Sequence, residues 1–72
     1  MYKNTIGRNA GIVWRTLHQN KTVSMEELVE LTGLNPIELA YAIGWLARED
    51  KIMIYSQNDM LFFELLFHET YY

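Results

Sequence analysis

The 72-residue sequence predicts an α+β fold in which three helices are followed by a two-stranded β-hairpin. Two consecutive segments each begin with a helix-capping signal and carry apolar residues at helical spacing. Behind the last of them, the pattern changes to β-branched and apolar residues interrupted by a short polar turn. Helices joined by a short turn and followed by a hairpin form the order of a winged helix-turn-helix domain.

The length and composition indicate one small domain with an apolar core. Hydrophobic residues make up 50% of the chain, aromatic residues 14%, and cysteine is absent. Disulfides and thiolate metal sites are therefore excluded, and no cofactor is expected. Small chains without such staples often gain stability by self-association, so we expect a homodimer. Neither a signal peptide nor a membrane-spanning apolar run is recognisable, which predicts a cytoplasmic location without membrane partners.

The first helix is predicted over residues 4–20. Gly7 and Gly11 are unfavourable there by up to about 1 kcal/mol each relative to alanine. Their spacing leaves a flat strip on which another element of the same monomer is expected to pack. Basic residues concentrate in residues 1–21, which sum to +4, so the remainder of this −3 chain sums to −7. One apolar stripe runs along the helix and consists of Ile6, Ala10, Val13, Trp14 and Leu17.

A capping box predicts the start of the second helix, which we place over residues 25–32. Ser24 precedes Glu27 by three positions, so each side chain can satisfy a free backbone N–H of the other residue. Leu28 and Leu31 are expected to face the core, with Met25 or Val29 beside them.

The same signals recur at the third helix, predicted over residues 36–49. Gly33 suits the left-handed residue that ends the preceding helix. Asn35 then serves as N-cap, Pro36 fits the first helical position, and Glu38 completes a second capping box. The residues expected to face the core are Leu39, Ile43 and Leu46.

The hairpin is predicted from strands over residues 52–56 and 60–66, joined by the polar turn 57–59. The second strand contains one polar residue, Glu64, so both of its faces require cover. Residues 65–72 or a second subunit are the two candidates for that cover.

A longer stretch of the chain resembles a known family. The run Ala42-Ile43-Gly44-Trp45-Leu46-Ala47-Arg48-Glu49-Asp50-Lys51-Ile52 is similar to a signature of a small bacterial and archaeal family of winged helix-turn-helix domains of unassigned function. Residues 6–14 look like the first-helix pattern of the same family, with glycine, alanine and tryptophan in matching places. The resemblance implies the fold from about residue 6 into the second wing strand, but it implies no reaction, ligand or target.

Binding of DNA is one function that this fold suggests, because the second helix of a helix-turn-helix motif normally enters the major groove. Residues 24–49 nevertheless carry five acids and one base, a sum of −4. Neutralisation of phosphates supplies essentially all non-specific affinity, and a surface of this sign repels the duplex. The wing turn also contains no Arg or Lys. The candidate DNA contacts are Asn35, Tyr41, Arg48 and Lys51.

We favour a different function, that of a self-associating protein-interaction module of the regulator type. Ile37, Tyr41 and Trp45 recur at intervals of four beside the core stripe of the third helix. Tyrosine and tryptophan suit interfaces because the ring is buried while its polar group stays satisfied. Packing of Trp45 under the wing or against the first helix is the alternative. The candidate interface residues are Ile37, Tyr41, Trp45, Phe62, Phe63 and Phe67.

No residue set predicts catalysis or metal binding. His18 and His68 have no nucleophile arrangement beside them, and adjacent carboxylates such as Glu26-Glu27 do not converge on one helical face. Phosphate-binding loops and metal-ligand spacings are also missing from the sequence. We therefore expect a domain that is not an enzyme.

Overall fold

The computed structural model describes residues 2–66 and contains three α-helices followed by a β-hairpin wing. The predicted α+β winged helix-turn-helix fold is confirmed. The observed ends of the five predicted elements each lie within one residue of the predicted ones, and one short strand, β1, was not predicted. The elements are α1 (Lys3–Asn20), β1 (Val23–Ser24), α2 (Met25–Thr32), α3 (Pro36–Arg48), β2 (Ile52–Gln57) and β3 (Met60–Leu65).

The apolar stripe of α1 forms one wall of the core. Val13 and Leu17 are fully buried beside α2, α3 and the sheet, whereas Ile6 at the start of the stripe is half-buried. Asn9 lies beside this stripe and is only 6% exposed, yet its side-chain Nδ2 has no hydrogen-bond partner. Among the described residues, no helix is long and apolar enough to cross a membrane.

Both predicted capping boxes are formed. Ser24 Oγ accepts from the Glu27 N–H at 3.1 Å, and the Ser24 N–H donates to Glu27 Oε1 at 2.8 Å. Asn35 Oδ1 accepts from the Glu38 N–H at 2.8 Å, and the Asn35 N–H donates to Glu38 Oε1 at 3.1 Å. Gly33 adopts φ 73° and ends α2 in the left-handed conformation. The chain thus turns from α2 into α3 by local chemistry alone.

The inward orientation predicted for Leu31 is wrong, because its side chain is 54% exposed. In α2 the residues turned toward the core are Met25, Leu28 and Val29, which are buried or half-buried. These positions follow the i, i+3, i+4 spacing of one helical face, and Leu31 falls on the neighbouring face.

The wing is part of a three-stranded antiparallel sheet of order β1-β3-β2. Phe63 pairs with Val23 on one side and with Ile54 on the other. The short strand β1 therefore joins the middle of β3 to the helices, and it adds a third strand to the two predicted for the hairpin.

The two faces of β3 are covered unequally. Phe63 and Leu65 are buried against the helices, whereas Phe62 on the opposite face is half-buried and stacks on Tyr55 with ring centroids 5.9 Å apart. The expectation that residues 65–72 provide further cover falls, beyond residue 66, outside the described part of the chain.

Candidate functional site

An open apolar groove of about 410 Å³ lies between the start of α1 and the outward face of α3. We call it the α3 groove. Ile6 contributes the α1 side, and the remaining lining comes from α3: Ala40, Tyr41, Gly44 and Trp45.

The floor of the α3 groove exists because two small residues stand one helical turn apart. Ala40 and Gly44 are both exposed, and a Cβ atom added to Gly44 would meet no atom within 4 Å. A larger residue at either position would fill the depression. The small side chains therefore leave room for a group from outside the monomer.

Two aromatic residues form the walls of the groove. Trp45 is half-buried, and its ring packs on α1, where a Cβ at Gly7 would lie 3.5 Å from Cζ2 of the indole. Tyr41 stands one turn earlier and is 54% exposed. One wall is thus held against the body of the domain, while the other projects into solvent.

The groove belongs to a longer apolar stripe on the outward face of α3. Ile37 is 67% exposed and continues the line of Tyr41 and Gly44 toward the start of the helix. Their spacing of i, i+4, i+7 places all three on one face. The stripe carries no charge until the exposed Arg48 in the last turn.

The exposed residues of α2 and the first turn of α3 include several acids. Glu26, Glu27 and Glu30 of α2 are exposed, and Glu38 lies half-buried in the first turn of α3. The helix-turn-helix therefore exposes acidic residues along α2, and at the end of α3 the exposed Arg48 is followed directly by the exposed acids Glu49 and Asp50.

The predicted interface residues do not form one surface in the structure. Ile37 and Tyr41 are exposed on the α3 stripe, and Trp45 packs against α1 as the alternative placement described. Phe62 lies on the outer face of the sheet and does not line the α3 groove.

Phe63 is only 1% exposed, so its assignment to a surface interface is wrong. Its pairing with Val23 and Ile54 places it on the face of the sheet that packs on the helices. The remaining predicted interface residue, Phe67, lies outside the described residues.

The predicted DNA-contact residues also differ in how accessible they are to a ligand. Tyr41 and Arg48 are exposed, and Lys51 is half-buried just beyond α3. Asn35 is exposed, but its Oδ1 already accepts a hydrogen bond from Glu38 N–H. Reading adenine requires both polar atoms of the carboxamide, so the cap competes with base recognition.

Sequence reasoning missed the contributions of Ile6, Ala40 and Gly44 to the groove. A signal for two of them is present, because positions 37, 40, 41 and 44 follow the i, i+3, i+4, i+7 spacing of one face. The role of Ile6 depends on how α1 lies beside α3. Within residues 2–66, no three His, Asp or Glu side chains are placed to hold a metal ion.

Comparisons with known proteins agree with this architecture. A family model described as "Winged helix-turn-helix domain (DUF2582)" matches residues 1–65. The uncharacterized protein MJ1608 of Methanocaldococcus jannaschii is 34% identical over 55 residues, which cover 74% of this chain and 79% of that protein. The solution NMR structure of protein BT2368 from Bacteroides thetaiotaomicron superposes with a TM-score of 0.82 at 37% identity, covering 90% of this chain and 79% of that chain.

Proposed function

The chain belongs to the winged helix-turn-helix domain family DUF2582, and we propose that it is a non-enzymatic protein-interaction module that associates with a second copy of itself. The observation that carries this proposal is the outward face of α3. At the position where a DNA-reading helix presents polar and basic groups, this helix presents Ile37, Tyr41 and the α3 groove. Exposed apolar surface of this kind marks a binding site for protein rather than for phosphate.

The composition of the stripe supports a protein partner. Tyrosine and tryptophan are enriched among the residues that dominate binding energy at interfaces, where they fill pockets surrounded by small contacts. Tyr41 projects beside a depression floored by Ala40 and Gly44. A protruding ring and a groove on the same surface are complementary features. In a symmetric pair of chains, the ring of each copy can therefore occupy the groove of the other.

Sedimentation equilibrium over a micromolar concentration range tests this proposal. The wild-type chain is expected to reach a dimer, and Tyr41→Gln is expected to raise the dimer Kd at least about tenfold, as loss of an interface aromatic does. Leu31→Gln is the matched control, because Leu31 is equally exposed at 54% but does not line the α3 groove. A wild-type chain that remains monomeric at all concentrations would overturn self-association.

A second variant probes the groove itself. Gly44→Gln places a long polar side chain where the added Cβ meets open space, so the monomer retains its fold. The same side chain fills the floor between Tyr41 and Trp45 and is expected to weaken the dimer. Unchanged dimerisation of a folded Gly44→Gln protein would show that the α3 groove is not the contact surface.

A DNA-binding transcriptional regulator remains the second candidate function. The observation in its favour is that α3 is outward-facing, with Arg48 exposed in its last turn and the wing beside it. A fluorescence titration with mixed-sequence duplexes at low salt tests it. Binding that weakens with salt and on Arg48→Ala would support DNA recognition, whereas no binding at low salt would rule it out.

A further inference from the structure

Charges of opposite sign lie beside the apolar stripe near the two ends of α3, and the exposed acid Glu49 follows Arg48 at the C-cap. Glu38 lies in the first turn and Arg48 in the last turn. The ten positions between them correspond to about 15 Å along the helix axis. A second α3 that runs in the opposite direction would therefore bring Glu38 of one copy level with Arg48 of the other.

We infer that two copies pair their α3 helices antiparallel across a two-fold axis between Tyr41 and Gly44. This inference rests on the proposed self-association and specifies its geometry. Tyr41 of each copy enters the α3 groove of the other, and Glu38 of each copy faces Arg48 of the other.

The apolar and charged parts of the surface share one centre. The midpoint between Glu38 and Arg48 falls at position 43, and the midpoint between Tyr41 and Gly44 falls between positions 42 and 43. An axis at this point therefore aligns the charges and the groove together. A parallel arrangement would instead place Glu38 against Glu38 and Arg48 against Arg48, which is repulsive.

The small residues make close approach of the helices possible. The distance between packed helix axes depends on the side chains at the contact. Ala40 and Gly44 are exposed on either side of the axis, and no atom lies within 4 Å of an added Gly44 Cβ. An antiparallel pair also sets the positive end of each helix dipole beside the negative end of the other.

Charge reversal distinguishes this geometry from other dimers. Glu38→Lys alone and Arg48→Glu alone each create two like-charge contacts per dimer, and each is expected to raise the Kd at least about tenfold. An equimolar mixture of the two variants creates only opposite-charge contacts, so it is expected to form a heterodimer with nearly wild-type affinity. The double variant E38K/R48E is expected to recover homodimerisation for the same reason.

Substitutions of Glu38 need a control for effects on folding, because Glu38 also accepts a hydrogen bond from the Asn35 N–H. Glu38→Gln retains a capping acceptor and removes the charge, so its weakening of the dimer reports electrostatics alone. Arg8→Glu changes the charge equally at an exposed position of α1 and is expected to leave the Kd unchanged. Circular dichroism melts confirm that each variant is folded.

The outcomes separate the geometry from the proposed function. If Tyr41→Gln weakens the dimer but the mixture of charge-reversed variants does not associate, the antiparallel arrangement is wrong and self-association through α3 stands. A dimer Kd that neither charge reversal changes would likewise show that the antiparallel arrangement is wrong, without contradicting self-association. A wild-type chain that never dimerises would overturn both the antiparallel geometry and the proposed self-association.

Discussion

Trp45 packs its indole ring directly on the backbone of α1 at Gly7, where an added Cβ would lie 3.5 Å from Cζ2. This contact joins the third helix to the first and sets the orientation of one wall of the α3 groove. The other wall residue, Tyr41, is 54% exposed. The groove is therefore shaped by an interhelical contact at a glycine.

Substitutions at Gly7 are expected to have opposite effects according to their size. A methyl group at 3.5 Å makes ordinary contact with Trp45, so Gly7→Ala should raise the free energy of unfolding by about 0.5–1 kcal/mol through helix propensity. Gly7→Leu should lower it by about 1–3 kcal/mol, because the larger side chain overlaps the ring. Urea denaturation measures both. Two variants that shift in the same direction would contradict the close packing.

Loss of either capping box is expected to destabilise the domain. Ser24→Ala and Asn35→Ala should each lower the free energy of unfolding by about 1 kcal/mol, because each leaves a backbone N–H at the helix start unpaired. Asn35→Asp retains an acceptor and should be close to neutral. Thermal unfolding followed by circular dichroism provides the measurement, and an Asn35→Asp variant as unstable as Asn35→Ala would refute the capping role.

The adjacent residues Phe62 and Phe63 of β3 are expected to contribute very different amounts to the free energy of unfolding. Phe63→Ala removes a ring from the core and should lower the free energy of unfolding by about 3–5 kcal/mol. Phe62→Ala removes a half-buried ring stacked on Tyr55, for which we expect a loss of about 1–2 kcal/mol. Chemical denaturation compares them, with Phe62 serving as the matched control. Equal losses would contradict the assigned faces of the sheet.

Replacement of Asn9 is expected to stabilise the protein. Its Nδ2 is buried without a hydrogen-bond partner, and alanine removes this donor while favouring the helix. Asn9→Ala should raise the free energy of unfolding by about 1 kcal/mol, whereas Leu17→Ala on the same helix should lower it by about 2–5 kcal/mol. A destabilised Asn9→Ala protein would show that the amide contributes a favourable interaction in solution.

Several elements could be predicted from the sequence because their causes are local. A capping box involves residues three positions apart, and a left-handed glycine ends a helix without help from distant segments. The apolar spacing of α3 likewise identifies the residues that face the core. The helices, the short turn between α2 and α3, and the hairpin follow from such short-range rules.

The candidate site was only partly predictable because exposure depends on what covers each face. Their spacing beside the core stripe predicts that Ile37 and Tyr41 are exposed. The floor at Ala40 and Gly44 was overlooked because small residues carry little apolar signal, and the placement of Trp45 required the position of α1. The prediction for Phe63 is wrong because its burial depends on how the sheet packs on the helices, whereas the prediction for Leu31 is wrong because Leu31 lies off the i, i+3, i+4 face of α2.

The fold class, the bounds of the three helices and the two hairpin strands, and the acidic character of the helix-turn-helix follow from local signals in the chain. Tertiary structure alone decided that Val23 pairs with Phe63, forty positions away, and that this pairing adds a third strand to the wing. It also decided which aromatic residues are buried and which border an open groove. The physical reason is that helix and turn signals act between neighbours in the chain, whereas burial depends on the packing of segments far apart in it.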